Sequence, residues 1–254
     1  MDLGLSDRVY VVTGASRGLG RACAELLVAE GARLVLCARD DDELKATAAA
    51  LGGPERAIAV SGDIGQPGIE TCLVAAAIAR YGRLDGGLIS VGGPPHGTVL
   101  DLDDGAWRTA FEQTFLGPLR MARTIANLAS REGGSIVLVL STSVKEPLPG
   151  MGLSSGLRPG LAMAAKSLAT ELGPRNVRVN GILPARIDTD RVRELDAASG
   201  RPDDVRRQHE ARIPLGRYGE PLEFARPAVF LLSPAASYVT GTMLVVDGGS
   251  SHSL

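Results

Sequence analysis

The sequence lacks an excess of charge of either sign and lacks any long apolar run. Its 254 residues include 27 Lys and Arg against 29 Asp and Glu, a formal net charge of -2. This balance gives no electrostatic reason to expect a nucleic acid or an anionic membrane as partner. No apolar run is long enough to span a bilayer, and the N-terminus has no apolar core preceded by basic residues. We therefore expect a cytoplasmic protein that acts on a small molecule.

Cysteine is also scarce. The three cysteines, Cys23, Cys37 and Cys72, have no metal-ligand spacing, so no metal site is expected. The chain is 44% hydrophobic and 22% charged, which is typical of a soluble globular protein. Its length and the absence of a linker or repeat predict a single domain over residues 1–254.

The most informative stretch is a strand, a glycine-rich turn and a helix near the N-terminus. Residues 9–12 are apolar and β-branched or aromatic, and apolar residues at helical spacing follow the turn. This arrangement places backbone N–H groups and a helix N-terminus against a phosphate. The residues of the turn expected to bind a dinucleotide are Gly14, Ser16, Arg17, Gly18, Leu19 and Gly20. A plain tight connection between strand and helix is the alternative for the turn taken alone.

The end of the second strand indicates which dinucleotide binds. Folds that prefer NAD place an acidic residue there to hold the ribose 2′-hydroxyl. Here Ala38 and Arg39 occupy that place. Together with Arg17, Arg39 would flank a 2′-phosphate, which favours NADP(H) over NAD(H). The alternative is that both arginines are solvated surface residues.

Strands and helices alternate to the end of the chain, which predicts an α/β fold with a single doubly wound parallel sheet, Rossmann-like, and helices on both faces. We expect a long helix over residues 107–129 with a kink at Gly117 and Pro118. A later helix is expected over residues 161–172, with Pro159 in its first turn. Residues 188–216 are polar and are expected to form a two-helix excursion that covers the substrate.

At this point the chain resembles the short-chain dehydrogenase/reductase family, over residues 5–249. Residues 13–20 match the family's TGxxxGxG form, and residues 62–64 resemble its adenine-side segment. Further similar segments are residues 176–180, residues 184–189 and the closing stretch from Arg217 to Gly249. Within the family the chain looks most like 3-oxoacyl-carrier-protein reductases and sugar dehydrogenases. The resemblance implies a homotetramer and further cofactor contacts at Asp63, Ile64, Gly92, Pro184, Ile187 and Thr189. Asp63 is equally consistent with capping the segment that follows it.

The family's usual Asn-Ser-Tyr-Lys set is largely absent. Matching the surrounding segments places Ser141 at the serine, Ser154 at the tyrosine, Arg158 at the lysine and Thr114 at the asparagine. A serine hydroxyl is a poorer proton donor than a phenol, whose ordinary pKa is about 10. Arg158 stays charged and is no ordinary acid or base.

Two other residues are candidates for the proton donor and the cation that the usual tyrosine and lysine would supply. His96 lies in the loop after the fourth strand, and histidine is the commonest acid or base near neutral pH. Lys145 follows Ser141 in the next such loop and would supply a cation, with Ser143 as a second candidate for the family's serine. A surface histidine and a solvated pair of Lys145 with Glu146 are the alternatives.

These residues predict an NADP(H)-dependent oxidoreductase that reduces a carbonyl or oxidises an alcohol, and the resemblance implies a reaction like that of the 3-oxoacyl reductases. Ser141 would bind the carbonyl oxygen, Arg158 and Lys145 would supply positive charge, and His96, Ser154 or a water would supply the proton. Two rival functions remain. One is a catalytically silent dinucleotide-binding module or oligomer partner, and the other is a lyase or isomerase on the same fold.

Overall fold

The computed structural model describes residues 2–128, 133–198 and 200–253, and over these residues strands alternate with helices as expected. The strands are β1 (Val9–Thr13), β2 (Arg33–Cys37), β3 (Ala57–Ala59), β4 (Gly86–Ile89), β5 (Gly134–Val139), β6 (Val177–Pro184) and β7 (Met243–Val246). The helices are α1 (Gly18–Ala29), α2 (Asp41–Ala50), α3 (Ile69–Tyr81), α4 (Asp104–Phe111), α5 (Gly117–Leu128), α6 (Gly152–Leu172), α7 (Asp190–Ala197), α8 (Pro202–Glu210) and α9 (Pro221–Leu232).

The strands form one parallel sheet in the order β3-β2-β1-β4-β5-β6-β7. The order reverses between β1 and β4, because β2 and β3 extend to one side of β1 and the later strands to the other. In open sheets of this kind ligands bind beyond the carboxyl ends of the strands at that reversal. The predicted Rossmann-like fold is confirmed.

Two apolar cores lie on the two faces of the sheet. Along β1, Val9 and Val11 pack on one face with α3, α5 and α6, whereas Tyr10 and Val12 pack on the other with α1, α2 and α9. This alternation follows from the two-residue period of a strand. Because both faces are covered, the strand reads as an unbroken apolar run in the sequence.

The predicted long helix is interrupted, although not at the expected pair. A π-helical stretch, Glu112–Leu116, separates α4 from α5. The irregular turn of the helix therefore comes before Gly117 and Pro118 and does not include them. Pro118 has no N–H to donate to the carbonyl four residues earlier, at Thr114, which favours a change of helical geometry there. The predicted end of this helix at Ala129 lies outside the described residues.

The expectation that the next helix begins after Pro159 is wrong. α6 already begins at Gly152 and carries Pro159 in its interior. A proline inside a helix costs about 3 kcal/mol. Contacts elsewhere offset this cost: the Gly152 amide donates to the Gly97 carbonyl at 3.0 Å, and the side chains of Leu153 and Ser154 are buried.

The excursion between β6 and α9 does contain two helices, α7 and α8, as predicted. It leaves the sheet at the same edge as the loop after β1. None of the helices in the described parts of the chain is long and apolar enough to cross a bilayer.

Candidate active site

The glycine turn after β1 lies at the reversal of the sheet and is closely packed. Gly14 has φ +62°, a conformation that favours glycine, and a Cβ there would lie 2.9 Å from the Ser90 carbonyl oxygen. A Cβ on Gly20 would overlap the Gly14 carbonyl. Thr13 Oγ1 donates to the Ser90 oxygen at 2.6 Å and accepts from the Ser90 amide at 2.9 Å, so β1 and β4 are tied together directly beside the turn.

The N-terminus of α1 faces this turn without a cap. Arg17 is the N-cap residue and its side chain makes no capping bond. The first N–H groups of a helix have no partner within the helix, so an uncapped N-terminus offers donors to an anion. Thr189 lies next to the N-terminus of α1, because a Cβ added to Gly18 would be 3.7 Å from Cγ2 of Thr189.

The two arginines predicted to flank a 2′-phosphate differ in their surroundings. Arg17 forms an exposed ion pair with Glu194 of α7 at 3.4 Å. Arg39 is exposed at the end of β2 and makes no hydrogen bond or ion pair with any described residue. Asp63, on the adenine side, accepts from the Gly65 amide at 2.8 Å, the capping role that we considered as an alternative. Ser16 and Ile64 are both buried beside these residues.

Three serines converge at the carboxyl end of β5 and the start of α6. Ser141 Oγ accepts from the Ser143 amide at 3.1 Å, which leaves its own proton free to be donated. Ser143 and Ser154 are buried, and their hydroxyl oxygens are 2.9 Å apart. The residue at the tyrosine position is therefore bonded to a second serine, and Ser141 is the partly exposed hydroxyl of the three.

Arg158 lies one turn after Ser154 on α6 and is 5% exposed. Its Nη1 donates to the Val139 carbonyl at 2.9 Å, and no carboxylate among the described residues pairs with it. Burial lowers the pKa of Arg158 to about 10, so the guanidinium remains charged near neutral pH. A buried charge without a counter-ion is costly, and its remaining N–H groups are available to a ligand.

Two of the predicted catalytic residues do not join the serines. The Thr114 hydroxyl donates to the Ala110 carbonyl at 2.7 Å, within its own helix. Lys145 is exposed at the end of the short helical turn that follows Ser141. Gly92 is also exposed, and a Cβ added to it would meet open space.

His96 is held close to the serines by the backbone. Its neighbour Gly97 forms a β-bridge with Met151, three residues before Ser154, and the Gly97 amide donates to the Gly150 carbonyl at 2.9 Å. The ring is exposed overall, yet partial desolvation and then the charges of Arg191 and Arg186 lower the pKa of His96 below its usual 6.5. His96 is thus mainly neutral at pH 7.

A polar network joins the excursion to the edge of the site. Arg186 donates to Asp196 at 2.9 Å and to His209 Nε2 at 2.7 Å, and the Tyr218 hydroxyl donates to the same Asp196 at 2.9 Å. Because a guanidinium has no acceptor, His209 accepts this bond as the neutral ring, and burial with the charge of Arg186 lowers its pKa. The Arg206 guanidinium lies over the Tyr218 ring, 4.6 Å from its centroid.

The remaining predicted residues form the rim between β6 and α7. Pro184 ends β6, Ile187 is buried and bridges to Gly219, and Thr189 is the N-cap residue of α7. Sequence reasoning missed the bond between Ser143 and Ser154 and the network around Asp196. No local signal marks either of them, since both join residues from different elements.

Comparisons with known proteins agree with this geometry. A family model described as enoyl-(acyl carrier protein) reductase matches residues 14–251. The L-rhamnose 1-dehydrogenase (NAD(P)(+)) of Azotobacter vinelandii is 37% identical over 96% of this chain and 97% of its own length. The crystal structure of L-sorbose reductase from Gluconobacter frateurii with NADPH and L-sorbose has a TM-score of 0.93 at 31% identity, covering 100% of both chains. That of YwfH, an NADPH-dependent reductase involved in bacilysin biosynthesis, has a TM-score of 0.93 at 28% identity, covering 98% of this chain and 100% of that one.

The chain therefore belongs to the short-chain dehydrogenase/reductase family of oxidoreductases. The predicted family resemblance is confirmed.

Proposed function

We propose that the protein is an NADP(H)-dependent oxidoreductase that interconverts a carbonyl compound and its alcohol. The observation that carries the proposal is the glycine turn beside the uncapped N-terminus of α1. Gly14 and Gly20 let the turn pack closely against β4 and the start of α1, because a Cβ at either position would meet a backbone carbonyl, and the N-terminus of α1 has no side-chain cap, so its first N–H groups are offered to an anion. Relatives whose names include NAD(P) or NADPH support the same class of cofactor.

The residues present fit a dinucleotide from end to end. Arg17 and Arg39 would hold the 2′-phosphate, and Gly18, Leu19 and Thr189 would hold the pyrophosphate. Arg158 would donate to the hydroxyls of the nicotinamide ribose, because its remaining N–H groups have no acceptor among the described residues. When bound, the nicotinamide supplies or accepts the hydride.

The substrate oxygen would meet the Ser141 hydroxyl. This hydroxyl is oriented by the Ser143 amide and keeps its proton for an acceptor. The buried charge of Arg158 favours negative charge on that oxygen as the carbonyl is reduced, since a charge acts more strongly where water is excluded. Ser154 is buried and supports this arrangement through its bond to Ser143.

The proton that reduction consumes predicts that the enzyme activity depends on the protonation of His96. Reduction needs a proton delivered to the substrate oxygen, and only the imidazolium form of His96 can give one. Because the pKa of His96 in the free protein lies below 6.5, the reductive kcat/KM should rise as the pH falls through that pKa, whereas the oxidative kcat/KM should fall. The measurement is kcat/KM against pH in both directions for the wild type and His96→Asn.

In His96→Asn the acid-side rise should vanish. His252→Asn, at an exposed histidine near the C-terminus, is the matched control and should keep the wild-type profile. An unchanged profile in His96→Asn would remove His96 from the proton path and leave a water as the donor.

The proposed substrate class includes 3-oxoacyl compounds and sugars. A putative ketoacyl reductase of monensin polyketide synthase from Streptomyces virginiae is 34% identical over 96% of this chain, and rhamnose and sorbose enzymes are similar to a comparable extent. We propose in addition that the protein is a homotetramer. This assembly rests on the family alone.

A catalytically silent dinucleotide-binding module is the second candidate. It is favoured by one observation, that the position of the family's tyrosine holds a buried serine already bonded to Ser143. Fluorescence titration with NADPH and NADH, followed by turnover assays with 3-oxoacyl thioesters, ketones and sugars, tests both candidates. The enzyme is expected to bind NADPH and oxidise it with at least one compound.

Ser141→Ala should keep NADPH binding and lower turnover about 100-fold, the scale set by loss of one donor to an oxyanion. Ser167→Ala, at an exposed serine of α6 that bonds only within its helix, is the control and should retain full turnover. Binding without turnover across the panel would favour the silent module. Failure to bind either nucleotide would overturn both candidates.

A further inference from the structure

The charges on α7 are distributed unevenly between its two sides. On one side Arg193 and Arg206 meet three carboxylates, Asp188, Asp190 and Glu210, at distances of 2.8 to 3.1 Å. This side includes Arg193 in a groove shared with α1 and α9. Its guanidiniums are therefore fully compensated.

The other side of α7 has too few carboxylates. Glu194 serves two guanidiniums there, Arg17 at 3.4 Å and Arg191 at 3.8 Å, the latter being a weak contact. A single carboxylate cannot neutralise both, and the Arg191 side chain is 46% exposed. Among the described residues Arg191 has no closer partner.

His96 lies within electrostatic range of this side of α7. The positive charges that act on its ring come from Arg191 and Arg186, and no carboxylate among the described residues contributes. Arg186 is compensated by Asp196, so Arg191 supplies the unbalanced positive charge, and the mainly neutral His96 ring beside it can take up a proton when an anion binds. The β-bridge between Gly97 and Met151 holds the loop of His96 beside the start of α6, which carries Ser154.

We propose that the substrate carries a carboxylate, which binds between Arg191 and His96 while its carbonyl meets Ser141; the substrate class is thus a small oxo acid or its hydroxy acid. This inference rests on the proposed function for the reaction itself. The reaction adds one hydride and one proton to the carbonyl and leaves the carboxylate unchanged. An anion at this place would satisfy Arg191 better than the shared Glu194 does.

A binding measurement tests the site without requiring turnover. The His96 ring is followed by NMR over a pH series, and His96→Asn assigns its signal among the three histidines. Addition of straight-chain oxo acids, with one to three carbons between carbonyl and carboxylate, should raise the pKa of His96, because a nearby anion favours the imidazolium. The corresponding methyl esters should not. An equal response to inorganic phosphate would indicate a general anion site and overturn the restriction to oxo acids.

A kinetic measurement is the second test of the proposed carboxylate site. The ratio of kcat/KM for an oxo acid to that for its methyl ester should fall about fivefold in Arg191→Gln, the scale of a partly exposed ion pair. Arg193→Gln, two residues along the same helix and already paired with two carboxylates, should keep the wild-type ratio. The preference for the acid should also weaken as salt is added.

The outcomes separate the two proposals. Turnover of esters or neutral ketones with no preference for acids, and no NMR shift, would overturn the anionic substrate and leave the oxidoreductase intact. An NMR shift without any turnover would support the anion site and count against the proposed reaction.

Discussion

Replacing Arg39 by aspartate is expected to weaken NADPH binding about 30-fold and to leave NADH binding unchanged or improved. A bond between a guanidinium and a phosphate contributes about 2 kcal/mol, which corresponds to that factor. The new carboxylate would repel the 2′-phosphate of NADPH, and it would stand where NAD-binding relatives of this fold hold the ribose 2′-hydroxyl. The measurement is the dissociation constant of each nucleotide, from nicotinamide fluorescence.

Arg17→Ser is expected to have the smaller effect of the two single changes. Arg17 is already paired with Glu194, so part of its interaction with a phosphate is offset by loosening that contact. Arg39 makes no such bond with a described residue, and its interaction with the phosphate is gained without a loss. The double variant should weaken NADPH binding by about 100-fold or more, because the smaller loss at Arg17 adds to the loss of about 2 kcal/mol at Arg39.

Arg21→Ser is the matched control for both changes. Arg21 lies on the first turns of α1 and its guanidinium forms an exposed pair with Glu25 at 2.9 Å. It should leave the ratio of NADPH to NADH affinity unchanged. A ratio that moves less than twofold in Arg39→Asp would mean that the end of β2 does not select the cofactor.

The fold was predictable because its signals are local. β1 is apolar on both faces, the glycines of the turn sit at fixed spacing, and α1, α2 and α6 each pack against a strand next to them in the chain. Such features need no knowledge of distant contacts. For the same reason the position of the glycine turn between β1 and α1 was predictable.

The details of the site depend on contacts between distant segments, and here the sequence was a poorer guide. Pro159 locally disfavours an earlier helix start, but the bond from Gly152 to Gly97 and the burial of Ser154 outweigh that cost. The bond between Ser143 and Ser154 joins residues 11 positions apart on different elements. Such pairings arise only from the tertiary packing of α6 against the end of β5.

Arg158→Met is expected to abolish most activity while leaving the protein equally stable or more stable. The variant removes the buried charge beside the nicotinamide ribose and the substrate oxygen, so we expect weaker NADPH binding and a kcat about 100-fold lower, the size of effect seen when one oxyanion donor is lost. Arg158→Lys keeps the charge and matches the residue that the family usually carries. It should recover part of the lost kcat.

The stability prediction follows from the same burial. The pKa of Arg158 is lowered to about 10, so the folded state disfavours the charged form and its removal relieves that penalty near pH 7. Replacing a buried charge by an apolar side chain of similar size is often neutral or stabilising. We expect Tm to be unchanged or raised by about 2–4 °C, the shift that corresponds to about 1 kcal/mol in a chain of this size.

The two readouts together separate a ligand-binding role from a structural one. If Arg158 served the fold, through its bond to the Val139 carbonyl, Arg158→Met would lower Tm and lose activity only in proportion to the folded fraction. If it serves the ligand, activity falls while Tm does not. A lower Tm with full specific activity per folded molecule would contradict the role assigned to Arg158, because a guanidinium buried without a counter-ion would then be explained by its single carbonyl bond.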